Sequence, residues 1–165
     1  MTSVLIAGVG GQGSIFAARV LGETALRLGL NVRGSETIGM AQRGGSVVSH
    51  VRISETGIAS PMIPPGKADV LIALEPTEGE RNRYFMREGG LYVCCDEKQR
   101  AEIIAACGAK SLNAALLGMA AQMDAFPFDI EDLAETLRTF GRPQFAEMNL
   151  KALRMGAGMV HSCAN

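Results

Sequence analysis

The chain has 165 residues, 47% of them apolar and 20% charged, with 16 Lys+Arg against 17 Asp+Glu and a formal charge of −1. That length suits one domain with its own core, spanning residues 1–165, and is too short for separate cofactor and substrate domains. The balanced charge excludes a general field that would draw in nucleic acid or an anionic membrane, so any anion site has to be local.

The opening "SVLIAGVGG" lacks a basic leader and runs directly into a glycine turn, which makes it a first strand and not a signal peptide. Ser3–Ala7 is a continuous β-prone run, as expected of a central parallel strand covered on both faces. In "GVGGQGSIF", Gly8, Gly10 and Gly13 satisfy the G-x-G-x-x-G spacing of nicotinamide and flavin sites. Together with Gly11 they permit positive φ, admit another group close to the backbone, and leave helix N–H groups free for an anion. The same glycines suit tight packing against a second subunit or a neighbouring loop. A dinucleotide site also needs an acidic ribose partner ~20 residues further on. Glu36 is the nearest candidate, but it comes late, with Gly34 and Ser35 where the acid belongs, and it can equally pair with Arg33 or Arg43.

From Ser14 onward Phe16, Val20, Ala25 and Leu28 fall near helical spacing, and Gly29 is a stop signal. A second strand near Asn31–Ser35 is then expected parallel to the first, by the right-handed crossover rule. "GMAQRGGS", Gly39 to Ser46, is a loop. In it Arg43 offers a fork of donors for a carboxylate or phosphate, followed by Gly44, Gly45 and Ser46, and the alternative is a solvated arginine beside a turn. Next, Val47, Ser49, Val51 and Ile53 alternate with Val48, His50 and Arg52. His50 is an isolated acid/base candidate that could equally be a packed strand histidine. Pro61, Pro64 and Pro65 make a rigid turn before "ADVLIALE", a buried-strand run.

A helix near Thr77–Arg87 and a strand "GLYVCCD" follow, the charges between Glu75 and Glu88 reading as a solvated helix face. The remainder is helical: Gln99–Cys107, Asn113–Met123, Ile130–Phe140, and Pro143 to about Gly156. The apolar run "AALLGMAA", Ala114–Ala121, falls far short of the ~20 residues of a membrane span. "NLKALRMGAGM", rich in methionine at its end, reads as core or interface. The pattern predicts an α/β fold, a Rossmann-like, mostly parallel sheet flanked by helices with a helical C-terminal part. Cys94, Cys95, Cys107 and Cys163 form no C-x-x-C pair and read as reduced thiols in a cytoplasmic protein. No nucleophile elbow, zinc spacing or iron–sulfur cysteine set is present, so no catalytic or metal-binding residue is assigned, and the chain reads as an accessory subunit.

The blocks "IAGVGGQG", "RGSETIGMAQRGGSVVSHVRI" and "SPMIPPGKADVLIALEP" resemble the small (gamma-type) subunit of 2-oxoacid:ferredoxin oxidoreductases. The resemblance runs from Val4 to Gly90 and resumes at "NAALLG" and "PQFAEMNLKAL". "AQR" before "GGS" is most similar to the indolepyruvate, or arylpyruvate, branch, with a version for 2-oxoglutarate or another ketoacid as the alternative. Against the family pattern the chain is shortened between Asp96 and Asn113, where a strand and its connection are missing.

The resemblance implies oxidative decarboxylation of a 2-oxo acid to an acyl-coenzyme A. Thiamine diphosphate and iron–sulfur clusters would lie in large partner subunits, with ferredoxin as acceptor and no cofactor held tightly by this chain alone. Gly8, Gly10, Gly11, Gln12 and Gly13, with Arg43, Gly44, Gly45 and Ser46, are the expected cofactor-binding or subunit-contact residues. Neither nucleic acid nor membrane is an expected partner, and a homodimer is open to the isolated chain. A stand-alone dinucleotide-binding enzyme is the competing reading.

Overall fold

The computed structural model describes residues 1–39 and 44–160; Arg43 and Cys163 lie outside the described residues. Five strands form one sheet: β1 (Thr2–Val9), β2 (Asn31–Ile38), β3 (Ser46–Ser54), β4 (Ala68–Ala73) and β5 (Met86–Cys94), in the order β2-β3-β1-β4-β5. The helices are α1 (Ser14–Arg27), α2 (Pro76–Arg81), α3 (Glu97–Cys107), α4 (Leu112–Gln122), α5 (Ile130–Thr139) and α6 (Pro143–Val160).

The sheet is mixed. β1, β4 and β5 pair in parallel, while β3 runs antiparallel to both β1 and β2. The second strand therefore points the same way as β1, as the crossover rule requires, but β3 stands between them. The cause is the loop that follows β2: from Ile38 to Ser46 the chain is too short for a crossover of a dozen or more residues, so β3 folds back as a hairpin partner. It then pairs with β1 on its other edge.

β1 is buried on both faces, as its unbroken apolar run demands. Val4 and Ile6 join the large core with α1, α3, α4, α5 and α6, whereas Leu5 and Ala7 pack with Val48, Ile63 and Leu71 on the opposite face. α1 ends at Gly29 (φ 75°), where Leu30 N–H reaches the Ala25 carbonyl and Gly29 N–H reaches Leu26. This is a Schellman stop. Leu28, placed on the apolar stripe by spacing, is instead 46% exposed at that cap.

α2 is shorter than its charge pattern suggested. It stops at Arg81, a single 3-10 turn (Arg83–Phe85) follows, and β5 already begins at Met86. α3 and α5 start in complete capping boxes, Asp96 with Gln99 and Asp129 with Asp132. Between Asp96 and Asn113 lie α3 and a 3-10 turn but no strand, which leaves β5 as the sheet edge. α4 and α6 cross in close contact: a Cβ on Gly118 would overlap the Leu153 carbonyl, and one on Gly156 the Ala115 carbonyl. The "NLKALRMGAGM" stretch is thus core. No single helix among the described residues is long and apolar enough to cross a membrane.

Candidate functional site

β1 delivers the glycine turn to the carboxyl ends of the parallel strands, where ligand crevices form in open α/β sheets. Gly13 adopts φ 82° and serves as N-cap of α1, with no side-chain cap and no acidic residue in the first helical turn. The leading N–H groups of a helix have no intrahelical partner and carry the positive end of its dipole. In α3 and α5 aspartates satisfy those donors; in α1 they remain open.

That helix start opens on a cavity of about 320 Å³ lined by Gly11, Gln12, Gly13, Phe16, Lys110, Ser111, Asn113, Gly141, Arg142, Phe145 and Asn149. Lys110 and Arg142 have no carboxylate partner among the described residues, and the Lys110 ammonium sits 5.9 Å from the centre of the Phe145 ring. Three polar side chains in the lining are buried. Ser111 donates to the Asn149 amide oxygen at 3.2 Å, and the Asn113 amide donates to the Gln12 and Gly13 carbonyls at 3.3 Å. Asn113 thereby pins the turn. With open helix N–H groups, two cations, an amide and two phenyl walls, the cavity suits an anion carried on an apolar or aromatic body.

The turn is braced from its other side. Gln12 accepts from Val9 N–H at 2.9 Å and donates to Glu75 at 3.2 Å, and Glu75 lies 3.9 Å from Arg100. Gly10 N–H donates to the Gly45 carbonyl at 2.9 Å, so Gly44, Gly45 and Ser46 do pack against the glycine turn. Among the residues singled out by sequence, Gly8, Gly10, Gly11, Gln12, Gly13, Gly44, Gly45 and Ser46 cluster here, while Arg43 lies outside the described residues.

Glu36 does not join them. In register it pairs with Ser49 of β3, whose other neighbour is Ile6 of β1, so a whole strand separates it from β1. It lines a different groove of about 610 Å³ between α1 and β2, with Arg19, Gly22, Glu23, Leu26, Val32 and Gly34. The inserted β3 thus removes the ribose-binding position that a dinucleotide site requires.

His50 is likewise elsewhere. It is buried on the opposite sheet face, where its Nδ1 accepts from Ile63 N–H at 3.2 Å and its ring meets Phe85 edge-on at 5.5 Å. Burial lowers its pKa below the ordinary histidine value. Burial also raises the Cys94 thiol and pushes the Cys95 thiol up to about 12, so neither is an activated nucleophile. No group of three or more His, Cys, Asp or Glu among the described residues is arranged to hold a metal ion.

Lys110, Ser111 and Arg142 were missed by sequence reasoning, because they reach the turn through packing and follow no local motif; Phe145 and Asn149 lie in the "PQFAEMNLKAL" block but were not singled out. Asn113 did carry a signal, as the first residue of the "NAALLG" block. Glu78, read as part of a solvated face, is only 5% exposed.

Fold and site together define an α/β chain with an anion-ready cavity at the start of α1. The pyruvate ferredoxin/flavodoxin oxidoreductase family matches residues 3–159, and the chain belongs to that family. It is 34% identical to indolepyruvate oxidoreductase subunit IorB of Archaeoglobus fulgidus, over 93% of this chain and 92% of that one. That alignment runs over 188 positions, more than the 165 residues here, so the relative carries segments this chain lacks. Among solved structures, the gamma subunit of a keto/oxoacid ferredoxin oxidoreductase from Geobacter sulfurreducens superposes with a TM-score of 0.78 at 23% identity, covering 98% of this chain and 99% of that one. The 2-oxoglutarate:ferredoxin oxidoreductase of Magnetococcus marinus, solved with 2-oxoglutarate, coenzyme A and succinyl-CoA bound, contains the same fold. There the TM-score is 0.78 at 21% identity, over 98% of this chain and 31% of the longer one.

Proposed function

We propose that this chain is the small subunit of an indolepyruvate-type 2-oxoacid:ferredoxin oxidoreductase, a cytoplasmic complex in which it forms one domain. The observation that carries this reading is the 34% identity to an indolepyruvate oxidoreductase small subunit along nearly the full length of both chains. Large partner subunits hold the thiamine diphosphate and iron–sulfur clusters, and ferredoxin accepts the electrons. Thiamine diphosphate supplies the electron sink for decarboxylation. This chain has no such chemistry of its own, and alone it turns over no 2-oxo acid.

Its part is to bind and orient the acyl acceptor. Coenzyme A joins phosphates to an apolar arm and an adenine ring, which is the chemistry the cavity at α1 offers. The N–H groups of the first turn, Lys110 and Arg142 take a phosphate, and Phe16 and Phe145 line the less polar part. Gly8, Gly10, Gly11, Gln12 and Gly13 shape the turn, and Gly44, Gly45 and Ser46 form its second wall toward the ligand or the large subunit.

The test is steady-state turnover of the reconstituted complex with the 2-oxo acid saturating and coenzyme A varied. Lys110→Ala and Arg142→Ala should each raise KM for coenzyme A about tenfold, the effect of losing one charge-assisted contact of roughly 1.4 kcal/mol. An unchanged KM with normal assembly would reduce the cavity to a subunit contact.

A further inference from the structure

α2 presents two carboxylates one turn apart, and each holds one of the two glycine loops. Glu75 accepts from Gln12 of the first loop at 3.2 Å. Glu78 accepts from the Ser46 hydroxyl of the second at 2.7 Å. Glu78 is nearly excluded from water, yet it has three attachments to its surroundings: the Ser46 hydroxyl, Arg81 at 2.7 Å, and its own carbonyl taking the Asn82 amide at 2.8 Å. A glutamate withdrawn from water is costly unless its carboxylate is hydrogen-bonded, and the Ser46 bond is the one that crosses to another element.

The chain of bonds continues beyond Ser46. Its carbonyl closes the base of the β2–β3 loop by accepting from Gly39 N–H at 2.8 Å, and the adjacent Gly45 carbonyl accepts from Gly10 N–H at 2.9 Å. Glu78 is thus connected to the glycine turn through one side-chain bond and one backbone bond. Arg81, its salt-bridge partner, has a side chain 64% exposed, so that ion pair adds little.

We infer that Glu78 is a positioning residue for the glycine turn, acting through Ser46 and Gly45 to fix Gly10 and the open start of α1. It touches neither ligand nor reacting atoms. The Gly45 carbonyl lies where the β1–β3 ladder runs out at Val9 and Ser46, and a Cβ at Gly44 would meet nothing within 4 Å, so the Ser46–Glu78 bond is the side-chain anchor that backs the last backbone bond, from Gly10 N–H to Gly45. The consequence for ligand affinity rests on the coenzyme A reading above; the consequence for the turn itself does not.

Amide hydrogen exchange in the assembled complex, followed by coenzyme A kinetics, tests both. Glu78→Ala and Ser46→Ala, which cut the same bond from either end, should speed exchange at Gly10 about tenfold while the amides of Leu116 and Leu117 in the core stay as in the wild type. Both should raise KM for coenzyme A severalfold, more than they change kcat. Glu78→Gln, whose amide oxygen still accepts from Ser46, should restore both. Faster exchange at Gly10 with an unchanged KM would support the positioning role and overturn the coenzyme A reading. Wild-type exchange at Gly10 in Ser46→Ala, with Lys110→Ala still raising KM, would overturn the positioning role and leave that reading intact. A Glu78→Gln variant as defective as Glu78→Ala would also overturn it, because charge and not the bond to Ser46 would then matter.

Discussion

The two hollows beside α1 differ in a way that size alone misjudges. The groove against β2 is nearly twice as large, about 610 Å³ against about 320 Å³, but it presents Glu23 and Glu36 together with Arg19 and the half-exposed Leu26. The cavity at the start of α1 is smaller and gathers uncapped helix N–H groups, two cations without carboxylate partners among the described residues, and three buried polar side chains. An anion gains several donors in the second and meets carboxylates in the first. Donor chemistry, set by where the glycine turn ends, and not volume, is what distinguishes the two hollows.

The sharpest way to break this contrast is a pair of glycine substitutions. A side chain at Gly13 would need φ 82° and would overlap the Asn113 amide, so Gly13→Val should cost about 3 kcal/mol and lower the melting temperature by roughly 10 °C. Gly34 in the groove has its nearest obstacle, the His50 carbonyl, at 3.5 Å, an ordinary contact. Gly34→Ala should stay within about 0.5 kcal/mol of the wild type by thermal denaturation. Equal losses at both positions would mean the two hollows are equally constrained.

Charge gives the next test. Lys110→Glu should weaken coenzyme A binding to the complex more than tenfold by titration calorimetry, whereas Glu36→Gln should change it less than twofold. A larger effect of Glu36→Gln would return the ribose-partner role to that residue.

The His50 side chain, packed against Ile63 and Phe85 on the opposite sheet face, supplies a pH dependence of its own. Burial depresses the His50 pKa, so the unfolded chain binds its proton more readily than the native one does. Stability from this residue is complete above the ordinary histidine pKa, near 6.5, and is lost as pH falls toward the depressed native value. The melting temperature should therefore fall as pH drops below about 6.5, and His50→Gln should flatten that slope. The smallest effect is expected at Cys94, whose thiol burial keeps protonated: iodoacetamide at neutral pH should label it slowly, and Cys94→Ser should leave turnover unchanged.

Much of this was legible in the residues. The apolar run before the glycines placed β1, Gly29 placed the end of α1, and the four helices after β5 lie within a few positions of where they were expected. The direction of β3 was not, because the partly alternating residue pattern of "VVSHVRIS" reads the same in either orientation. The short Ile38–Ser46 connection did encode a hairpin, however, and outweighed the crossover rule for immediate neighbours. That one insertion moved Glu36 out of the glycine site. The cavity itself was unreadable because its members, such as Gly13 and Asn113, lie 100 residues apart and meet only when α4 packs behind the turn. Glu78 was hidden for the related reason that a charged residue on a short helix looks solvated until its neighbours are in place.

The central claim is that the glycine turn serves as the acyl-acceptor site of a larger oxidoreductase. Its most direct measurement is oxygen-free reconstitution of the proposed large thiamine- and cluster-containing subunit with and without this chain, scored by ferredoxin reduction with indolepyruvate and varied coenzyme A. The account predicts that coenzyme A-dependent turnover appears only when the wild-type chain is added, and that the Lys110→Glu chain assembles but needs over tenfold more coenzyme A. Full coenzyme A-dependent turnover by the large subunit alone, or by this chain alone, would contradict it.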